Sequence, residues 1–380
     1  MEKEKILTYV SIGAVIFSVL FIVLGLSNLN TKKSPNSVQT DLLISTTTIT
    51  NVAPRTATTT TKKDVGVKEV KQCASNNTDF DCYYEYYYYV VKNKGINEAF
   101  RVLKEEYKSN SYVIAQCHPI AHVIGHAAVS LYPKVYDAFK HGDPFCWSGY
   151  YHGVMEEVVE KVGTAKIKTE LDNICSGISG KESYSFDYYN CVHGLGHGVM
   201  AINDNELFKS LSLCDSLSGV WEQNSCYGGV YMENVIIDNK GEATKYLKPS
   251  DPLYPCNAVD EKYKGSCYLM QTSYALKVSG NDYSKVFALC RTADVGYKEI
   301  CWQSLGRDAS GMTSSNAEST KQKCDLGQNY EEKSNCIIGA VKDFVSFYHS
   351  DVEAKQFCSI LSSDLKQICI DTGTSYYQNF

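Results

Sequence analysis

Six of the eight histidines in this chain fall in three short segments: Cys117-HPIAHVIGHAAV, Cys146-WSGYYHGVMEE and Cys191-VHGLGHGVM. Imidazole suits zinc, copper, iron and nickel, so these segments offer transition-metal binding. His152-Gly-Val-Met and His197-Gly-Val-Met are identical tetrapeptides, each starting six residues after a cysteine. His126-Ala-Ala-Val follows the same pattern nine residues after Cys117. His126, His152 and His197 are therefore expected at one shared station on three neighbouring helices. His122 and His193 lie four residues before His126 and His197, one turn back on the same helix face. With that spacing two imidazoles chelate one ion on a helix. Glu156, four residues after His152, shares its face and offers a carboxylate ligand or an acid/base. Glu157 points about 100° away.

The expected ligand set is His122, His126, His152, His193, His197 and Glu156, for one or two ions of zinc or copper, with iron also compatible. Met155, Met200 and Met232 lean toward copper, because a thioether favours Cu(I). Methionine on a packed helix is nonetheless ordinarily core filler. His118, beside Cys117, and His141 and His349, near loops, read as ordinary residues. Gly149, Gly153, Gly194, Gly196 and Gly198 read as sites of close helix packing, at a cost in helix propensity.

The cysteines show what positions these side chains. All sixteen lie between Cys73 and Cys369. Cys214 and Cys226, Cys256 and Cys267, Cys290 and Cys301, Cys324 and Cys336, and Cys358 and Cys369 are separated by 12, 11, 11, 12 and 11 residues. Cys256, Cys290, Cys324 and Cys358 recur every 34 residues. Cys73 with Cys82 and Cys175 with Cys191 are looser versions, and Cys117 and Cys146 remain to pair by elimination. A 34-residue period predicts one helical hairpin per repeat. After the second cysteine comes an apolar-rich helix (YLMQTSYALKV after Cys267, IIGAVKDFVSFY after Cys336), then a break such as SGND, HSD or NDN. These breaks are stop and N-cap signals. A second helix (YSKVFALC, VEAKQFC, ELFKSLSLC) then runs into the next cysteine. Each pair is expected to link the end of one helix to the start of the next.

The period resembles that of tetratricopeptide-type or Sel1-type repeats, in architecture only, since their side-chain consensus is absent. The expected fold is all-α: hairpin repeats over 73–380, stapled by disulfides into a solenoid or a closed stack. No C-x2-C or C-x4-C occurs, so disulfides are favoured over zinc-thiolate sites. Each closes a loop worth about 2 to 3 kcal/mol. On the later repeats the station six residues after the cysteine holds Ser273, Arg307, Lys342 and Ser375. The histidines are thus a local feature, and a purely architectural role would recur in every repeat.

The first 72 residues differ in kind. Ile6 to Leu26 is an uncharged run of 21 residues, long enough to span a bilayer core, with no signal-cleavage pattern after it. It is read as a membrane anchor within residues 1–26. Residues 27–72 lack Phe, Tyr, Trp and Cys and are rich in Thr and Ser, the composition of a disordered linker. Disulfides would place the domain at 73–380 outside the cytoplasm.

Across 380 residues the net charge is −6, with no long basic run, which argues against nucleic-acid binding. There is no G-x-S-x-G, no H-E-x-x-H and no phosphate-binding glycine loop. Tyr83, Tyr84 and Tyr86 to Tyr89 read as an edge helix or a contact surface. Three functions fit: a membrane-anchored metal-binding protein, a metalloenzyme using Glu156 as acid/base, and a protein-interaction scaffold without metal.

Overall fold

The computed structural model describes residues 70–132, 134–237, 244–313 and 315–378. The anchor run 6–26 and linker residues 27–69 lie outside them. No helix among the described residues is long and apolar enough to cross a membrane.

The described chain is all-helical. In order the helices are Phe80–Lys94 (α1), Ile96–Glu106 (α2), Ser111–Ala128 (α3), Val135–Phe139 (α4), Gly149–Val162 (α5), Ile167–Ile174 (α6), Phe186–Ile202 (α7) and Leu207–Cys214 (α8). There follow Val220–Ile237 (α9), Glu261–Val278 (α10), Tyr283–Cys290 (α11), Lys298–Met312 (α12), Ala317–Cys324 (α13), Tyr330–Tyr348 (α14), Val352–Ser359 (α15) and Ser363–Gln378 (α16). Long and short helices alternate, and each long helix from α3 onward packs on the next long one. The breaks act as their residue types require. In SGND, Gly280 and Asn281 take left-handed backbone (φ +70 and 62), and Asp282 caps α11 by accepting from the Lys285 amide. Asn110, Ser185, Asn316 and Asn329 cap α3, α7, α13 and α14 in the same way. Each offers an oxygen to an otherwise unbonded first-turn amide.

All sixteen cysteines pair as the spacing predicts, and none is free. Cys73 bonds Cys82, Cys117 bonds Cys146, Cys175 bonds Cys191 and Cys214 bonds Cys226. Cys256 bonds Cys267, Cys290 bonds Cys301, Cys324 bonds Cys336 and Cys358 bonds Cys369. From Cys175 onward, each bond ties the chain leading out of one hairpin to the next long helix. The first two bonds differ. Cys73 and Cys82 tie the entering chain to α1, and Cys82 is only half-buried. Cys117 and Cys146 tie α3 to the chain before α5. Eight disulfides mark an oxidising environment.

One boundary needs correction. The long helices were expected to start at the second cysteine of each pair. They start earlier, at Glu261 ahead of Cys267, at Lys298 ahead of Cys301 and at Tyr330 ahead of Cys336. Cys82 likewise sits inside α1, which begins at Phe80. The reason lies in the polar residues before each cysteine. Asp81, Glu261, Glu299, Glu331 and Glu332 occupy the first turns, where the helix dipole favours acidic side chains. The bonds therefore grip the long helices within their bodies, and Cys267, Cys301 and Cys336 are fully buried there.

One repeat departs from the pattern. The segment 244–260 before α10 holds turns and an isolated bridge between Lys248 and Asp251 in place of a short helix. Pro249, Pro252 and Pro255 explain this, because each removes an amide donor and biases its predecessor toward extended backbone. The tyrosine run forms α1, where Tyr83 and Tyr87 are fully buried and Tyr84 stays exposed.

Some contacts join parts of the chain far apart in sequence. Trp147, just before α5, donates from Nε1 to Asp343 Oδ1 of α14 at 3.0 Å, across 196 residues of sequence. The Trp147 and Phe347 rings lie 5.0 Å apart, and Phe186 meets His349 edge-on at 4.3 Å. Asp343 is only 5% exposed, and burial pushes its carboxyl up to about 7. A raised carboxyl costs nothing where it is protonated in both states, below about pH 4. The penalty grows as pH rises to about 7 and stays constant above that. Asp343→Asn keeps the acceptor for Trp147 and removes the charge. It is expected to exceed the parent in stability by on the order of 4 kcal/mol above pH 7, with no gain at pH 4. Urea unfolding at both pH values checks this, and an equal difference at the two would refute it.

Candidate metal centre

Four consecutive long helices, α3, α5, α7 and α9, build the site, and glycines set how closely they approach. A Cβ at Gly153 of α5 would stand 2.1 Å from the His122 carbonyl oxygen of α3, and one at Gly125 of α3 would stand 2.1 Å from the Tyr150 oxygen of α5. Gly196 and Gly229 make the same reciprocal contact between α7 and α9, at 2.2 Å from the Cys226 oxygen and 2.0 Å from the His193 oxygen. Gly194 and Gly198 of α7 accommodate Met155 and Val159 of α5. Backbone against backbone leaves room for imidazole rings to meet between the axes. Gly306 and Gly339 repeat the contact between α12 and α14, where there are no histidines. The glycines thus belong to the architecture and the histidines do not.

In α3, Pro119 supplies no amide to the preceding turn, and the helix breaks at Gln116 (φ −106, ψ 15). The restarted segment carries His118, His122 and His126. His118 is drawn into the cluster, which corrects its reading as an ordinary residue. Three groups have ligand atoms within 4.8 Å of one another: His118 with His122 and His152, His152 with His193 and His197, and His122 with Glu156 and His197. His126 belongs to none of them. Its Nε2 donates to Glu156 Oε2 at 2.6 Å, and its Nδ1 lies 3.6 Å from Glu157. Burial opposes a charge on His126, but Glu156 and Glu157 outweigh it and push its pKa up to about 9.

The hydrogen bonds assign the tautomers. A carbonyl or carboxylate oxygen can only accept, so the ring nitrogen facing it carries the proton. His118 Nδ1 donates to the Cys146 carbonyl at 2.8 Å, His122 Nδ1 to Glu156 Oε1 at 2.8 Å, and His197 Nδ1 to Glu233 Oε2 at 2.9 Å. The other nitrogens then present lone pairs. His118 Nε2 and His122 Nε2 face each other at 3.0 Å, and His197 Nε2 and His152 Nδ1 are buried with no hydrogen-bond partner. Facing lone pairs and unpaired buried nitrogens are costly unless a cation lies among them. One nitrogen on an oxygen and the other free is the arrangement that orients metal-binding imidazoles. Burial, reinforced by neighbouring imidazoles, holds His118, His152 and His193 well below the usual histidine range. They are therefore neutral, as ligands must be.

Glu156 serves two histidines at once. Burial works to raise its carboxyl, but its contacts with His122 and His126 outweigh that and hold it well below the usual carboxylate range. Glu233 does the corresponding work for His197 and was missed in the sequence. The signal for it is a repeated dipeptide: Met232-Glu233 mirrors Met155-Glu156. Met155 and Met200 are fully buried, and Met155 Sδ lies 3.6 Å from Cys191 Sγ. His141 stacks on Tyr132 and His349 ends α14, both outside the three ligand groups.

A cavity of about 600 Å³ borders the centre, with His118, Trp147, Met232, Ser273, Arg307 and Asp343 among its walls. Met232, Ser273 and Arg307 hold the station six residues after their cysteines, as His152 and His197 do. The station thus turns inward on successive helices.

No protein-family model, curated protein or solved structure matches this chain.

Proposed function

We propose that this is a membrane-anchored, extracytoplasmic protein that binds zinc or copper through the histidine cluster of α3, α5 and α7. The observation that carries the reading is the set of committed tautomers. His118, His122 and His197 each give one nitrogen to a fixed oxygen and leave the other in the cluster. Eight disulfides support the extracytoplasmic placement, and the uncharged run 6–26 supports the anchor. The alternating helices and the Trp147–Asp343 contact support hairpin repeats closed into a stack. Storage, delivery or sensing of the metal at the cell surface fits these features.

A second reading is a metalloenzyme, favoured by the cavity that reaches His118. It would admit a small molecule to an open coordination position, with Glu156 as acid/base. A surface for a protein partner on the repeats is the reading left if the centre takes no metal.

The test is elemental analysis of the full chain purified without chelator. Bound zinc or copper is expected, with at least half of it lost in the double variant His152→Ala, His197→Ala. A chain that stays metal-free after incubation with excess zinc and copper would overturn the metal readings. Unchanged content in the double variant would place the site elsewhere.

A further inference from the structure

The cluster is organised as two clamps around one central ring. His118 and His122 are four residues apart on α3, and His193 and His197 are four apart on α7. Each pair projects from one helix face with the spacing that chelates one ion. His152 of α5 stands between them. Its ring centroid is 5.2 and 5.5 Å from those of His118 and His122, and 4.9 and 4.6 Å from those of His193 and His197.

The two triads that contain His152 share no other residue, and no larger group of potential ligands forms among the described residues. A single tetrahedral ion with bonds of about 2.0 to 2.1 Å draws on one compact set of ligand atoms. It cannot use both pairs in full. The third group takes one histidine from each clamp, but Glu156 faces their Nδ1 atoms, which donate to Glu156 and Glu233 and so offer an ion no lone pair. Glu156 links the two sides: its Oε1 lies 2.8 Å from His122 Nδ1 and 3.7 Å from His197 Nδ1. Together with Glu233 at 2.9 Å from His197, it puts negative charge beside a site that would gather several positive charges.

We propose that the centre holds two metal ions, one in the His118 and His122 clamp and one in the His193 and His197 clamp, with His152 between them. The inference rests on the metal-binding reading above. The two positions differ in access. His118 lines the cavity, whereas His193 and His197 are 1% and 0% exposed. The α3 ion is the one that exchanges with solvent and meets any small ligand entering the cavity, and the α7 ion is sealed within the helices.

The experiment loads the full chain, in mild detergent, with zinc alone and counts bound ions by native mass spectrometry and elemental analysis. It compares the parent with two double variants, His118→Ala with His122→Ala and His193→Ala with His197→Ala. The expected counts are two, one and one. A chelator should strip the parent in two phases, and the fast phase should be missing from the α3 variant. One ion in the parent would overturn the two-ion proposal and leave the metal-binding reading standing. No ion in the parent, with zinc or in a parallel loading with copper, would overturn both. Circular dichroism and a free-thiol assay establish that each variant is folded. The parent count and its two-phase release decide the proposal even if a variant fails to fold.

Discussion

Gly153→Ala is expected to destabilise the protein by about 1 to 3 kcal/mol, as overpacking of a tight contact does, and to weaken metal binding with it. The added carbon would stand 2.1 Å from the His122 carbonyl oxygen and 2.7 Å from the His122 carbonyl carbon and Cα. These are backbone atoms of α3, so no side chain can rotate aside, and the two helices must separate. That movement pulls His122 away from His152 and Glu156, so the packing defect and the loss of metal are one event. Gly265→Ala is the control. Gly265 lies within α10 with nothing inside 4 Å of the added carbon, and alanine there is expected to be neutral or stabilising by up to about 1 kcal/mol. Thermal unfolding and metal content of both variants check the pair. Equal behaviour of the two would show that the α3–α5 contact does not hold the centre together.

Glu156→Gln is expected to lower metal affinity by about 10- to 100-fold, the usual cost of losing a carboxylate that orients a ligating imidazole. Glutamine keeps the shape, but His122 and His126 use different carboxylate oxygens, one of which becomes an amide NH2 that cannot accept, and it carries no charge. The histidine outside the three ligand groups reports the same change. His126 is held at about 9 because Glu156 and Glu157 outweigh its burial. Without the Glu156 charge, its pKa is expected to fall. Competition with a zinc-binding dye measures the affinity, and the imidazole resonance of His126 followed by NMR against pH measures the shift. A variant that loses metal while His126 still titrates near 9 would mean that Glu156 binds the ion without organising the histidines.

The cysteine ladder was legible in advance because its information is local. Each pair closes a short loop beside one hairpin, so spacing alone selects the partner, and Cys117–Cys146 followed from what remained. Where the helices begin was less legible. The cysteines Cys267, Cys301 and Cys336 mark a bond, and the polar first turns ahead of them, not the bond, start the helix. The broken repeat before α10 was not read in advance: Pro249, Pro252 and Pro255 carry its signal, and the 34-residue period hid it. The choice between His118 and His126 was of another kind. Both stand four residues from His122, so helical phase treats them alike. The difference comes from the neighbouring helix: Glu156 and Glu157 of α5 claim His126, while the helix kink at Gln116 and the Cys146 carbonyl turn His118 toward His122.

From residue order come the helical hairpins, the disulfide partners, and the five histidines and one glutamate worth watching. All of these depend on contacts within about one repeat. Spacing along a helix states which side chains share a face. It does not state how near the next helix comes or how it is rotated. Those were set by glycines pressed on backbone oxygens, by the proline in α3, and by a Trp147–Asp343 contact 196 residues apart in sequence. These set which ring nitrogens converge, give His197 its carboxylate in Glu233, and leave the α3 clamp beside a cavity while the α7 clamp is closed.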